Sequence, residues 1–177
     1  MAASSRKEAF EALARAVKDK NEVRILFVCG ANICRSPYAE MRFEQMISEK
    51  PLPKKIIVSS GGFMQSPQLH EFTRRALLEG GLPASKIDRF TPRSMRKHKD
   101  ELESADFIFS PTREVIEALL PRKYHHKAFL LSVARGIDDE IADPFLIPEY
   151  GQYKPFLDRI DACLAEIIQA LRKAWAA

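Results

Sequence analysis

Two cysteines and an arginine stand in the segment CGANICRS, residues 29–36, directly after an apolar stretch. Five residues separate Cys29 from Arg35, a spacing that suits a loop whose backbone N–H groups surround a small anion. Arginine can bind two oxygens of one phosphate group, and a cysteine thiol beside arginine at a helix N-terminus ionises readily. The segment is therefore typical of a site where a thiolate attacks a bound oxyanion.

The loop lies at the junction of a predicted strand and a predicted helix. Residues 23–28 (VRILFV) form an apolar run typical of a strand buried on both faces. Pro37 suits the first turn of a helix that continues to Lys50. The N-terminus of such a helix adds positive potential to the loop, which favours a phosphate or a similar oxyanion.

The residues within the loop have separate expected tasks. Gly30 allows the backbone to approach a ligand closely, and Asn32 tolerates the left-handed backbone that a tight loop needs. Ser36 can donate a hydrogen bond to the Cys29 sulfur. We therefore predict a phosphate-binding loop of Gly30, Ala31, Asn32, Ile33, Cys34, Arg35 and Ser36.

The rest of the chain alternates apolar runs with segments of helical periodicity, which predicts parallel βαβ units. The fold class is α/β, with a four-stranded parallel sheet in the flavodoxin-like order 2-1-3-4, helices on both faces and an extra N-terminal helix. Residues 1–22 are predicted to be a helical extension, and residues 23–177 a single domain. The predicted strands are 23–28, 55–60, 106–110 and 127–132, and the predicted helices are 5–20, 36–50, 66–81, 94–105, 112–121 and 157–175.

Ligands bind outside the carboxyl ends of the strands in an open parallel sheet. Cys29, Ser60 and Ser110 end the first three predicted strands, and the loop that contains Asp143 follows the fourth. The segments whose residues could bind a ligand or take part in catalysis are therefore expected to meet at one edge of the sheet.

The composition excludes several classes of protein. The chain has 177 residues, 28 basic and 24 acidic, and the net charge of +4 is spread without a basic stripe that would indicate a nucleic-acid partner. Three cysteines give no disulfide framework, which favours a reducing compartment. We predict a cytoplasmic protein, because no apolar run suits a membrane span or a signal peptide.

The pattern VCGANICRSPYAE resembles the phosphate loop of the low-molecular-weight protein tyrosine phosphatases, V-C-x-x-N-x-C-R-S-P. The resemblance extends from about Val23 to the C-terminal helix. Asp143-Pro144-Phe145 matches the family's Asp-Pro-aromatic loop, and the SSGG segment after the second strand is similar to its Ser-Ala-Gly segment. Two separate motifs in the right order make a chance similarity improbable.

The resemblance implies a metal-free, cofactor-free phosphatase that acts on phosphotyrosine proteins or small aryl phosphates. Cys29 would be the nucleophile, Arg35 would bind the phosphoryl group, and Asp143 would be the general acid and base. Asn32, Ser36 and Ser60 would support the loop. The oligomeric state is left open.

Some positions differ from the family pattern. Gly30 and Ala31 stand where many relatives have a larger residue and then glycine, and the segment LIPE separates Phe145 from Tyr150. Relatives that hydrolyse phosphoarginine carry threonine at the position of Ile33, so an isoleucine favours phosphotyrosine. The residues expected to line the substrate pocket are Ile33, Phe63, Phe145 and Tyr150.

Three alternatives stay open at this point. The resemblance implies that Cys34 can form a reversible disulfide with Cys29 that protects it from over-oxidation, although a passive role for Cys34 is also possible. Similar proteins reduce arsenate on the same loop, but that reaction usually needs further cysteines, and Cys163 is expected to lie in the core. A silent module that binds oxyanions or phosphoproteins is the remaining alternative.

Overall fold

Four parallel strands form one sheet in a computed structural model that describes residues 3–176. The order is β2-β1-β3-β4, and Val28 pairs with Gly61 while Phe27 pairs with Phe109. This arrangement confirms the predicted fold class. The strands are β1 (Glu22–Val28), β2 (Lys55–Gly61), β3 (Phe107–Ser110) and β4 (Ala128–Leu130).

Six α-helices and three shorter helical turns connect and cover the strands. The turns are a π-helical turn, Val115–Leu119, and two 3₁₀ turns, Arg122–Lys127 and Leu131–Arg135. No helix of the described residues is both long and apolar enough to cross a bilayer. The helices are α1 (Ala3–Ala16), α2 (Arg35–Glu49), α3 (Glu71–Glu79), α4 (Ala84–Ile87), α5 (Lys99–Ser104) and α6 (Tyr150–Trp175).

Alternate residues of the strands supply two hydrophobic cores, one on each face of the sheet. Ile25 and Phe27 of β1 belong to the larger core, which α1, α2, α3 and α6 cover. Leu26 and Val28 point to the other face, where they pack with Leu102 of α5 and with the turn that follows β3. Burial on both faces explains why β1 is apolar almost throughout.

Two predicted helices are much shorter than expected. The segment 94–105 is helical only from Lys99, because Ser94 forms a parallel bridge with Gly62 and so extends the edge of the sheet. The segment 112–121 contains a single π-helical turn that ends before Pro121. In the first segment local helical propensity is overridden by a contact with the sheet, which the sequence pattern does not reveal.

The bounds of four further elements also differ from prediction. Helix α1 runs from Ala3 to Ala16 rather than over residues 5–20. Helix α3 begins at Glu71 rather than at residue 66, because His70 caps it, and β4 is only three residues long. Helix α6 begins at Tyr150, seven residues earlier than predicted, and includes Pro155. Tyr153 explains this early start, since its fully buried side chain packs into the core from the first turns of the helix.

Helix α1 packs against the sheet and against α6. Phe10 is fully buried, and its ring meets the rings of Phe107, Phe109 and Phe129 edge to face at 5.6–6.0 Å. The indole Nε1 of Trp175 donates a hydrogen bond of 2.9 Å to the carbonyl of Ala14. The first helix therefore shares its core with the strands of the sheet.

Replacing Phe10 with alanine should lower the free energy of unfolding by about 3–5 kcal/mol, because the change leaves a cavity among three aromatic rings. Urea unfolding followed by far-UV circular dichroism measures this loss. Phe10→Leu is the matched control, since it keeps most of the apolar volume and should cost much less. A loss below about 1 kcal/mol for the alanine variant would contradict the packing of α1 described above.

Candidate active site

The segment 29–34 forms a loop between the end of β1 and the start of α2. Asn32 has a φ of 58°, the only positive φ at a described non-glycine residue. Asparagine tolerates this left-handed backbone better than most residues. Cys34 precedes α2 and its side chain does not cap the helix, so the first N–H groups of the helix are left for another acceptor.

The carbonyl groups of the loop are turned outward by their hydrogen bonds. The Gly30 carbonyl accepts from the N–H groups of Phe63 and Met64 at 2.7 and 2.9 Å, and the Ile33 carbonyl accepts from that of His70 at 3.0 Å. Within the described part of the chain, the N–H groups of residues 30–36 donate to no carbonyl. This geometry makes the loop a cradle of backbone donors for an oxyanion.

A buried network of hydrogen bonds joins the predicted support residues. Cys29 Sγ lies 3.0 Å from Ser36 Oγ. Asn32 Nδ2 donates to Ser36 Oγ at 2.9 Å and to Ser60 Oγ at 2.8 Å. Ser36 Oγ also donates to the Gly61 carbonyl at 3.3 Å, which ties the loop to the end of β2. Four of the residues predicted for the site are thus brought into direct contact.

Gly62 allows the end of β2 to approach this loop. A Cβ atom at Gly62 would lie 2.7 Å from the backbone of Ala31 and of Asn32 and 2.8 Å from the Gly30 carbonyl oxygen. Only glycine fits such a close approach to backbone atoms. The sequence pattern does not predict this contact.

The network continues away from the loop to a half-buried carboxyl group. Ser60 Oγ donates to Glu40 Oε2, and the Arg93 guanidinium donates to the Ser60 carbonyl at 3.0 Å. The Arg93 backbone N–H donates to Asn32 Oδ1 at 2.8 Å, so both ends of the Asn32 amide are held. Burial raises the pKa of Glu40 to about 7, against the opposing effects of Ser60 and Arg93.

We expect Glu40→Gln to stabilise the protein more as the pH rises. The folded-state pKa is raised above the ordinary value of 4.5, so the contribution of Glu40 to stability is full below pH 4.5 and is lost as the pH rises through about 7. Because glutamine does not titrate, the Tm of the variant relative to wild type should increase by about 3 °C or more between pH 5 and pH 9.

Thermal melts across this pH range provide the measurement for Glu40. Glu44→Gln is the matched control, because Glu44 lies one turn further along α2 and forms an ion pair with Lys86 at 2.6 Å. That variant should not reproduce the trend. A Tm difference for Glu40→Gln that is constant with pH would show that the Glu40 carboxyl is not held in its neutral form.

Arg35 is buried and connects the loop to the segment that contains Asp143. Its Nη1 donates to the Ile141 carbonyl at 3.0 Å, and its Nη2 lies 3.0 Å from Asp143 Oδ2. The Asp143 side chain is 51% exposed, whereas that of Arg35 is 5% exposed. Arg35 Nε is buried without a partner among the described residues, so the guanidinium keeps a donor for a ligand oxygen. Arg35 and Asp143, two of the three predicted catalytic residues, are therefore in direct contact.

The four residues predicted to line the pocket lie in different surroundings. Ile33 and Phe63 are buried, and the Phe63 side chain packs in the smaller core. Phe145 is half exposed beside Asp143. The Tyr150 hydroxyl donates to Glu79, and its ring lies under the Arg75 guanidinium, so this side chain packs against α3. Lining of the pocket by these residues stays a prediction.

The other two cysteines are also buried. Burial raises the pKa of the Cys34 thiol to about 12, so this group stays protonated at neutral pH. All three cysteines are free thiols in this structure, and a disulfide between Cys29 and Cys34 stays a prediction. Cys163 lies in the larger core, on α6.

Four residues that shape this site are not predictable from the sequence motifs: Glu40, Gly62, His70 and Arg93. Glu40 and Arg93 lie in charged helical or loop segments, where a charged residue is usually a solvated one. The GG pair was the only available signal for Gly62. His70 had no signal, because histidine is not a typical N-cap residue.

Comparison with known proteins gives consistent matches. A family model, low molecular weight phosphotyrosine protein phosphatase, matches residues 24–177. A low molecular weight protein-tyrosine-phosphatase of Bacillus subtilis, YfkJ, is 33% identical over 159 residues, which are 85% of this chain and 97% of the relative. A protein-arginine-phosphatase of Geobacillus stearothermophilus is 27% identical over 153 residues, with 84% and 96% covered.

Solved structures with the same fold include the YwlE arginine phosphatase, as a cysteine-to-serine mutant with a phosphorylated active-site serine. Its TM-score with this chain is 0.73 at 25% identity, and the alignment covers 85% of this chain and 97% of that one. Helix α1 lies outside the region that the family model matches.

Proposed function

The chain belongs to the low molecular weight phosphotyrosine protein phosphatase family, whose members are cysteine-dependent phosphatases. We propose that it hydrolyses protein phosphotyrosine and small aryl phosphates through a phosphocysteine on Cys29. One observation carries the proposal. Cys29 begins a loop of unpaired N–H donors, and Arg35 at its end is paired with Asp143 at 3.0 Å. This arrangement supports Cys29 as the nucleophile, the loop as the anion cradle and Asp143 as the proton donor.

In the first step, the Cys29 thiolate attacks the phosphorus atom in line with the leaving phenol oxygen. A P–S bond forms as the P–O bond breaks, and the electron pair of that bond goes to the phenol oxygen, which takes the proton of the Asp143 carboxyl. Arg35 and the loop N–H groups stabilise the charge on the three remaining oxygens. The 3.0 Å contact with Arg35 places Asp143 beside the guanidinium that binds the phosphoryl group.

In the second step, water hydrolyses the phosphocysteine. The Asp143 carboxylate takes a proton from the water as its oxygen attacks phosphorus, and the P–S bond breaks with its electron pair going to sulfur. Ser36 Oγ, 3.0 Å from Cys29 Sγ, can donate a hydrogen bond to the departing thiolate when its hydroxyl hydrogen turns from the Gly61 carbonyl to the sulfur. Inorganic phosphate then leaves the loop.

The choice of phosphotyrosine over phosphoarginine rests on Ile33. One relative that matches this chain is named a protein-arginine-phosphatase and another a protein-tyrosine-phosphatase. Similarity alone therefore does not distinguish phosphoarginine from phosphotyrosine as the substrate. Ile33 is a buried loop residue whose side chain has no hydrogen-bonding group, whereas phosphoarginine presents a guanidinium rich in N–H donors. An apolar neighbour suits an aromatic ring better than a cation.

Arsenate reduction is less well supported. That reaction needs cysteines that relay a disulfide to the surface, and Cys163 is only 1% exposed within the larger core. Cys34 is also buried, and its raised pKa makes it a poor thiolate nucleophile at neutral pH.

A panel of substrates on one purified sample tests the proposal. Phosphotyrosine peptide, phosphoserine peptide, phosphoarginine and arsenate with thioredoxin are each supplied in the presence of a chelator. The proposal expects phosphotyrosine to have the highest kcat/KM, by at least tenfold. If phosphoarginine were the best substrate, the preference for phosphotyrosine that we infer from Ile33 would be wrong. Ile33→Thr would then be expected to change the activity toward phosphoarginine little.

A further inference from the structure

His70 lies between the phosphate loop and the segment that contains Asp143. It is the residue before α3, and its backbone N–H donates to the Ile33 carbonyl of the loop at 3.0 Å. Its Nδ1 accepts a hydrogen bond of 3.2 Å from the Phe72 N–H, which caps the helix. One side of His70 is thus fixed to the phosphate loop and to α3.

The other side of the imidazole faces the Asp143 segment. The ring edge meets the ring of Phe145 at 5.9 Å and 71°. The Phe145 N–H in turn donates to Asp143 Oδ1 at 3.2 Å. A continuous set of contacts therefore runs from His70 through Phe145 to the carboxyl group of Asp143.

Two anchors hold the Asp143 segment on its two sides. On the N-terminal side, Ile141 is fully buried, and its N–H donates to the Pro111 carbonyl at 2.9 Å. On the C-terminal side, Phe145 is 50% exposed and Leu146 is 86% exposed. The ring of Phe145 contacts His70, which is itself stacked on the buried ring of Tyr153 at 4.8 Å and 11°.

We propose that His70 is a positioning residue that holds the Asp143 carboxyl over the phosphate loop, through its contacts with Phe145. The inference rests on the proposed function, in which Asp143 protonates the leaving group. General acid catalysis requires the acid within hydrogen-bond reach of the departing oxygen, and small displacements of such a group are costly. Neither the family model nor the loop motif assigns a role to this residue.

The hydrogen bond that His70 Nδ1 accepts requires, for a neutral imidazole, that the ring proton lies on Nε2. Nδ1 accepts from the Phe72 N–H, so it cannot carry a proton itself. Burial lowers the pKa of His70 below its ordinary value, and the nearby carboxylates of Glu71 and Asp143 only partly oppose this effect. The neutral form is therefore the one present at neutral pH.

The test uses His70→Ser, which keeps a side chain able to cap α3 but removes the ring that touches Phe145. A displaced Asp143 should matter most for leaving groups that need a proton. We expect kcat/KM to fall about tenfold or more for phenyl phosphate and phosphotyrosine peptide, as part of the 10²–10⁴ that general acids supply. For p-nitrophenyl phosphate, whose phenolate leaves readily, the fall should stay below about threefold.

Two further measurements separate positioning from a general loss of structure. The inhibition constant of inorganic phosphate should change less than about twofold, because the backbone bond to Ile33 is retained. In an Asp143→Asn background, His70→Ser should have no further effect on phenyl phosphate, since both changes act through the same proton transfer.

Equal losses of kcat/KM for p-nitrophenyl phosphate and phenyl phosphate would overturn the inference. Additive losses of kcat/KM in the variant that combines His70→Ser with Asp143→Asn would also overturn it. An unchanged kcat/KM for phenyl phosphate would also overturn it. If the wild-type protein failed to hydrolyse aryl phosphates, the proposed function itself would be wrong. The assay of the wild type shows this before any variant is compared.

Discussion

Cys29→Ser is expected to reduce kcat for every phosphate ester by more than about 1,000-fold, because the nucleophile of a two-step mechanism is lost. Binding of inorganic phosphate should persist, since Arg35 and the loop N–H groups remain. Serine also suits the surroundings of the sulfur, which lies 3.0 Å from a hydroxyl group. The expected result is therefore a folded protein that binds the product and turns over almost nothing.

Steady-state assays with p-nitrophenyl phosphate and phosphotyrosine peptide measure this effect. Thermal melts with and without phosphate show whether the variant is folded and still binds, because a ligand of the native state raises Tm. Cys163→Ala is the matched control: it also removes a buried thiol, but on α6, and should keep most of the activity. Turnover by Cys29→Ser within tenfold of wild type would refute the covalent mechanism.

Arg35→Lys should lower kcat/KM by about 1,000-fold, in the range seen when a donor to a transferring phosphoryl group is removed. The guanidinium makes two contacts at once, to the Ile141 carbonyl and to Asp143, and keeps Nε for a ligand. A lysine ammonium is a point charge and cannot reproduce this planar set of donors. The charge is preserved, so the loss isolates the geometry of the guanidinium.

The same variant should bind phosphate more weakly, with a smaller rise in Tm at a given phosphate concentration. Arg74→Lys is the matched control, because Arg74 of α3 forms an exposed ion pair with Asp88, the residue after α4, and is not part of the phosphate loop. It should leave kcat/KM within about twofold of wild type. Full activity in Arg35→Lys would mean that charge alone is sufficient and that the fork of donors has no role.

Much of the fold and the centre of the site follow from local sequence patterns. The apolar run before Cys29, the positive φ at Asn32 and the early proline of α2 each have a local cause that acts within a few residues. The βαβ alternation then determines where the ends of the strands meet. These features were predictable because no distant contact is needed to explain them.

The features that were missed depend on contacts between distant segments. Residues 94–98 are not helical because Ser94 pairs with Gly62. Helix α6 starts earlier than predicted because Tyr153 is buried against α3. The roles of Glu40 and Arg93 arise from hydrogen bonds to Ser60, which lies 20 and 33 residues away along the chain. Spacing along the chain contains no signal for such pairs.

Trp175 offers an intrinsic optical probe of how the two ends of the chain separate. It is the only tryptophan in the sequence, it is 7% exposed, and its indole donates to the Ala14 carbonyl. Its emission should therefore shift to longer wavelength as soon as α1 leaves α6, even while the sheet remains intact. Fluorescence and far-UV circular dichroism recorded together would then distinguish local detachment of the first helix from global unfolding.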